Sequence, residues 1–153
     1  MDNKLKLNIN INGNDIAVEA HADEFLADML RRYGFLSVKK GCDTGSCGLC
    51  TVWVDEKPVL SCSYLAARAN GKRITTIEGL QEEAAEFASF LTGEGAEQCG
   101  FCSPGFIMTV LAMKRELKNP TEESIKHYLN GNLCRCTGYV GQLRALKKYM
   151  GVD

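Results

Sequence analysis

The sequence predicts an α+β fold: a strand-rich first stretch with a mixed sheet and one helix, then a second stretch made only of helices. Three observations lead there. Near the N-terminus apolar and polar residues alternate, the period of a half-buried strand. From about Leu80 onward apolar residues recur at helical spacing instead. The eight cysteines divide into two groups of four, one in each stretch, so the change of periodicity coincides with a division of the chemistry. The join falls near Gly79 to Glu83, which gives units of residues 1–79 and 80–153.

The elements follow in order. Leu5, Leu7, Ile9 and Ile11 alternate with Lys4, Lys6, Asn8 and Asn10, and the turn signal Asn12-Gly13-Asn14-Asp15 leads into Ile16 and Val18, so a hairpin is expected. Asp23 is positioned to cap a helix with Phe25, Leu26, Met29, Leu30 and Tyr33 on one face, stopped by Gly34. Thr51 to Val54, a turn at Asp55 to Pro58, and Val59 to Cys62 read as a second hairpin, and Arg73 to Ile77 as a last strand. Trp53 alternates with Val52 and Val54 and so points to the opposite face of its strand, towards packing or an interface. In the second stretch, helices are expected over Glu82 to Leu91, over the strongly apolar Phe106 to Leu117, from Asn119-Pro120-Thr121-Glu122 to Leu129 with Asn119 as the cap, and over Val140 to Met150.

Composition narrows the function. The chain has 153 residues, 45% apolar and 24% charged, with 18 basic against 19 acidic side chains. That balance, with no Lys/Arg stripe, argues against a charge-driven nucleic-acid partner. The longest apolar run, Phe101 to Met113, is interrupted by Ser103, Pro104 and Gly105 and falls short of the roughly 18 residues of a membrane span. The first residues lack a charged-then-apolar leader, and Arg31-Arg32 has no apolar stretch behind it. A soluble, cytoplasmic chain with no membrane partner is the expectation. In such a compartment disulfides are disfavoured, so a cysteine-rich chain points to metal or redox chemistry.

The first group is Cys42-x4-Cys47-x2-Cys50-x11-Cys62. This is the spacing of a plant-type 2Fe–2S site, in which one tight loop wraps the cluster and the fourth thiolate arrives from elsewhere. Gly41, Gly45 and Gly48 let that loop bend and turn its N–H groups towards the sulfurs. Inert core thiols do not suit three cysteines within nine residues of a glycine-rich loop, and zinc favours paired C-x2-C hooks. The second group, Cys99-x2-Cys102 with Cys134-x-Cys136, is by spacing alone ambiguous between zinc and iron–sulfur. Both pairs are expected near helix N-termini, with Pro104 just inside a helix start, where unpaired N–H groups favour a thiolate-bound anion.

Three strings carry a more specific resemblance: Gly41-Cys42-Asp43-Thr44-Gly45-Ser46-Cys47-Gly48-Leu49-Cys50-Thr51-Val52, then Gln98-Cys99-Gly100-Phe101-Cys102-Ser103-Pro104-Gly105, then Gly131-Asn132-Leu133-Cys134-Arg135-Cys136-Thr137-Gly138-Tyr139. In order and spacing the chain resembles the small iron–sulfur subunit of molybdenum hydroxylases, the xanthine dehydrogenase, aldehyde oxidoreductase and carbon monoxide dehydrogenase family, over nearly its whole length. The resemblance implies an N-terminal β-grasp plant-type ferredoxin domain followed by an all-α four-helix bundle, each holding a 2Fe–2S cluster. It implies that Cys42, Cys47, Cys50 and Cys62 bind the cluster nearer a flavin subunit, and Cys99, Cys102, Cys134 and Cys136 the cluster facing molybdenum. Gln98 resembles the glutamine that hydrogen-bonds the pterin, and Cys136 the ligand nearest to it. Expected partners are a large molybdopterin-binding subunit, which would make the second cluster the more buried, and a medium FAD-binding subunit. Leu49, Ser103 and Gln142 depart from the family pattern, Gln142 at a place in the last helix that is usually apolar.

No Ser/His/Asp set, phosphate-binding loop or acid pair is visible, as expected of an electron carrier whose chemistry lies on a partner. His21 and His127 lie outside the cysteine loops, against a Rieske site. Arg135 between two ligands could raise the cluster potential or equally form a surface or partner salt bridge, Lys39 and Lys40 before the first loop could equally serve docking or solubility, and Glu82, Glu83 and Glu86 read as a solvated helix face. The expected function is an electron-relay subunit of xanthine dehydrogenase, purine-hydroxylating type. The alternatives are the same subunit acting with another N-heterocycle, an aldehyde, carbon monoxide or 4-hydroxybenzoyl-CoA. From other classes come a free ferredoxin-like carrier, for which near-neutral charge is unsuited, and a zinc-binding interaction module.

Overall fold

The computed structural model describes residues 4–152. Strands β1 (Lys4–Ile11) and β2 (Asn14–His21) pair antiparallel, with Leu7 opposite Val18 and Ile9 opposite Ile16. Asn12 and Gly13 both take positive φ at the turn, the twist that a two-residue hairpin needs. Helix α1 (Leu26–Arg32) buries Leu26, Ala27, Met29 and Leu30. Strands β3 (Thr51–Val54), β4 (Lys57–Leu60) and β5 (Arg73–Thr75) complete a sheet of order β2-β1-β5-β3-β4, in which β1 and β5 run parallel and the other neighbours antiparallel. One continuous core joins Leu7, Ile9, Ile11, Val52, Val54 and Ile74 of the sheet to α1. This is the mixed-sheet, ferredoxin-like architecture expected for the first stretch.

The second stretch is all helix: α2 (Gln81–Gly93), α3 (Ser103–Glu116), α4 (Glu122–Tyr128) and α5 (Val140–Met150). Every residue of α3 from Gly105 to Met113 is buried, so it is the central helix around which the others pack. Phe87, Phe106 and Tyr149 cluster against it, with ring centroids 6.0 Å (Phe87 to Phe106) and 4.9 Å (Phe87 to Tyr149) apart. Trp53 fastens the two halves together. It lies on the sheet face opposite Val52 and Val54, is 1% exposed in the helical core, and its indole N–H donates to the Met108 carbonyl at 3.0 Å. The Arg115 guanidinium sits 4.2 Å over the same ring. Among the described residues no helix is long and apolar enough to cross a membrane.

Local boundaries differ from the expectation for identifiable reasons. Phe25, not Asp23, precedes α1, because Glu24 to Leu26 first run extended beside Tyr64 to Ala66, bonded through Leu26 N–H to the Tyr64 carbonyl and Ala66 N–H to the Glu24 carbonyl. Pro58 belongs to β4 rather than to the turn; β4 is an edge strand, where a missing N–H is tolerated. The chain after Leu60 enters a 3-10 turn, Ser61–Ser63, instead of continuing as a strand to Cys62. Likewise β5 stops at Thr75, since Thr76 turns to exchange hydrogen bonds with the Asn12 side chain. Helix α4 is capped by Thr121 in reciprocal bonds with Ser124, two residues later than Asn119.

Candidate metal centres

The loop between α1 and β3 carries Cys42, Cys47 and Cys50. Gly45 and Gly48 take φ of +67° and +72° there, which opens a path that a residue with a Cβ rarely follows. Cys42 is half-buried, while Cys47 and Cys50 are buried. Cys62 arrives from the 3-10 turn after β4, tethered to the loop because the Ser61 hydroxyl and N–H both donate to the Cys50 carbonyl, at 2.6 and 3.3 Å. The four thiols meet in two pairs, Cys42 with Cys47 and Cys50 with Cys62. Cys42 is drawn down to about 6 by the Cys47 thiol and by the N–H groups of Thr44, Ser46 and Cys47. Cys62 is pushed up to about 11 by burial and then by Cys50.

The second four come from the α2–α3 and α4–α5 connections. Cys102 is the residue just before α3, and Pro104 lies in the first turn as expected. Cys134 and Cys136 lie further out, since α5 starts only at Val140. Again there are two pairs: Cys99 and Cys136 have sulfurs 3.6 Å apart, and Cys102 meets Cys134. Burial, then Cys134, pushes Cys102 up to about 12. Burial raises Cys134 also, but the Thr137 hydroxyl and the N–H groups of Cys136 and Thr137 outweigh it and hold it below the ordinary thiol value. Cys99 and Cys136 are exposed, so in this chain by itself the second set is the more open of the two.

The donor sets fit 2Fe–2S clusters. Two pairs of thiols, ringed by N–H donors, suit a group with two metals, each taking two thiolates. His21 and His127 are both exposed, at the end of β2 and on α4.

The two sets adjoin one another. The Leu133 N–H donates to the Cys47 carbonyl at 2.9 Å, linking a residue of the first set to the immediate neighbour of Cys134. Close backbone approach makes this possible: a Cβ on Gly105 would lie 2.6 Å from the Gly48 carbonyl oxygen, and one on Gly48 would lie 2.4 Å from that of Gly131. A cleft of about 600 Å³ is lined by Cys42 and Cys47 on one side and by Cys99, Cys102, Cys134 and Cys136 on the other. Gln142, buried at 5% exposure, faces Cys102 and Cys134 from α5, so the polar residue in a usually apolar place is next to the second set.

Of the remaining candidates, Gln98 is exposed beside the open pair and its side-chain N–H donates to the Cys136 carbonyl at 3.1 Å. Lys39 lies 5.8 Å over the Phe101 ring, Lys40 pairs with Asp28 at 2.8 Å, and Glu83 pairs with Arg115 at 2.9 Å. Three features were not foreseen from the sequence: the Leu133–Cys47 bond, the Thr137 hydroxyl on Cys134 at 3.2 Å, and the Tyr139 phenol accepting from the Cys134 N–H at 3.0 Å. Only the position of Thr137 and Tyr139 beside the C-R-C pair hinted at the last two.

Comparison with known proteins agrees with this arrangement. Residues 9–76 match the family described as 2Fe-2S iron-sulfur cluster binding domain, and residues 76–147 match that described as [2Fe-2S] binding domain. The chain is 39% identical over 150 residues to the nicotinate dehydrogenase small FeS subunit of Eubacterium barkeri, covering 96% of this chain and 95% of that one. It is 47% identical over 133 residues to the xanthine dehydrogenase iron-sulfur-binding subunit of Escherichia coli O157:H7, covering 84% of each. Among solved structures, quinoline 2-oxidoreductase from Pseudomonas putida 86 superposes with a TM-score of 0.87 at 34% identity, covering 94% of this chain and 91% of that one.

Proposed function

Since the chain belongs to the family of small iron–sulfur subunits of molybdenum hydroxylases, and is therefore the electron-transfer subunit of such a complex, we propose how its residues divide the work. Cys42 and Cys47 hold one iron of the first cluster, and Cys50 and Cys62 the other, within a unit of residues 1–79. Cys102 with Cys134, and Cys99 with Cys136, do the same for the second cluster within residues 80–153. When bound, a 2Fe–2S cluster takes up and gives back a single electron. The protein holds these sites at fixed separation, buries Cys47 and Cys50 of the first, and bridges them by the Leu133–Cys47 hydrogen bond. That bond, joining the two sets of thiols through backbone alone, is the observation that carries the relay reading.

Partner placement follows from what is open. Around the exposed Cys99–Cys136 pair stand Phe101, Leu133 and Tyr139, all exposed. A groove of about 620 Å³ continues from Leu133 and Tyr139 between α4 and α5. An apolar rim of this kind around a polar centre marks a surface made to be covered. In this reading it receives the large molybdopterin-binding subunit, with Gln98 and Cys136 towards the pterin, and the FAD-binding subunit lies on the Cys42 side.

For the substrate, the wider alternative, another N-heterocycle, an aldehyde, carbon monoxide or 4-hydroxybenzoyl-CoA, is better supported than purines alone, and aldehyde oxidoreductases are among the similar structures. Nicotinate, xanthine and quinoline, the compounds that name the three relatives above, are all nitrogen heteroaromatics. The complex is proposed to hydroxylate that class, of which xanthine is one member. Anaerobic addition of each compound to the purified complex tests this: bleaching of the iron–sulfur absorption by at least one N-heterocycle is expected. Bleaching by an aldehyde or carbon monoxide alone would overturn the substrate class and leave the relay role standing.

A further inference from the structure

We infer that the Thr137 hydroxyl sets the reduction potential of the second cluster, by donating a hydrogen bond to the Cys134 sulfur that has no hydroxyl counterpart at the first site among the described residues. The inference rests on the proposed assignment of Cys134 as a ligand. Its ground is a closed ring of three hydrogen bonds. The Cys134 N–H donates to the Tyr139 phenol oxygen at 3.0 Å, the Tyr139 N–H donates to Thr137 Oγ1 at 3.3 Å, and Thr137 Oγ1 donates to Cys134 Sγ at 3.2 Å. With an oxygen lone pair of Thr137 engaged by Tyr139, the hydroxyl hydrogen is left for the sulfur.

The backbone is shaped for this ring. Gly138 and Tyr139 are consecutive residues with φ of +68° and +70°, and a tyrosine enters that region only at a cost. The cost is offset by what the reversal achieves, because it folds the phenol back onto Cys134. The first site differs in kind. Cys42 and Cys47 receive backbone N–H groups from Gly41, Thr44, Ser46, Cys47 and Leu49, and the Thr44 and Ser46 hydroxyls are bonded to each other at 2.8 Å. Among the described residues the hydroxyl on a cysteine sulfur is therefore a feature of the second site.

A donor on a ligating sulfur draws charge from it. It favours the reduced form, which carries one more negative charge, over the oxidised form, and so raises the potential. In a relay of two otherwise similar clusters, one threonine proton then biases where an electron rests.

The test is a potentiometric titration of the holo complex, followed by EPR, for wild type, Thr137→Val, Thr137→Ala and Thr137→Ser. In Thr137→Val and Thr137→Ala the reduced-to-oxidised ratio of one cluster at a fixed applied potential should fall about tenfold, equivalent to about 59 mV for one electron. The other cluster should be unmoved, and Thr137→Ser should restore the wild-type value. An unshifted potential, or an equal shift of both clusters, would overturn the inference. So would loss of the second signal in both removal variants with Thr137→Ser intact, since the hydroxyl would then build the site rather than tune it. A wild-type complex without a second iron–sulfur signal would overturn the ligand assignment itself, an outcome distinct from two signals that do not shift.

Discussion

At the scale of residues, the site depends on thiols crowded into pairs and on donors aimed at them. Burial pushes Cys62 and Cys102 up to about 11 and about 12, and a bound metal would favour their thiolates. Cys136→Ser should halve the iron of the chain, from about four atoms to about two, and remove one EPR signal while the other persists; loss of both would mean the sites assemble as one. Gln98→Ala should keep both signals, because it removes a bond to a carbonyl and no ligand. The cysteine spacing made the first site legible, and the family strings made the second so. The hydroxyl on Cys134 was not legible, since whether a threonine side chain reaches a sulfur three residues back depends on the backbone reversal at Gly138 and Tyr139.

At the scale of elements, loops and caps carry the precision. The Asn12 side chain exchanges bonds with Thr76, whose hydroxyl donates to Glu78, and the Ser37 hydroxyl reaches the same carboxylate at 2.7 Å. This network ties the end of β5 to the segment leading into the Cys42 loop. Burial opposes the charge on Glu78, but these bonds overcome it and hold the carboxyl below its ordinary value of 4.5. A depressed folded pKa stabilises above the unfolded value and ceases to as pH falls through the folded one. The lead of wild type over Glu78→Gln in denaturation midpoint should thus be constant from pH 7 to about 5.5 and shrink below about 4.5. A lead that grew on acidification would contradict the network. Strand and helix existence was readable from periodicity, whereas the caps were not. Asp23 and Asn119 have the chemistry of caps, but pairing of Glu24 to Leu26 with Tyr64 to Ala66, and the Thr121–Ser124 exchange, decide where α1 and α4 begin.

At the scale of the molecule, the sheet and the helices are joined by Trp53 and by close backbone contact. Trp53 projects from the sheet into the helical core, and Gly48 and Gly105 let the backbones around the two cysteine sets close on each other. Alternation placed Trp53 on the face of its strand opposite Val52 and Val54, yet nothing local in the sequence pairs Leu133 with Cys47, because their contact exists only once the two stretches pack together. Gly105→Ala would press a methyl group against the Gly48 and Leu49 carbonyls, at 2.6 and 2.7 Å, and should destabilise by about 1–3 kcal/mol. It should also slow electron exchange between the two sites more than it alters either EPR signal, and an unchanged rate would detach the backbone contact from the relay. Whether the eight cysteines hold two 2Fe–2S clusters is decided by iron and acid-labile sulfide analysis of the natively purified complex, with EPR after reduction. About four irons and four sulfides per chain and two distinct signals are expected; zinc, without sulfide and without a signal, would contradict this.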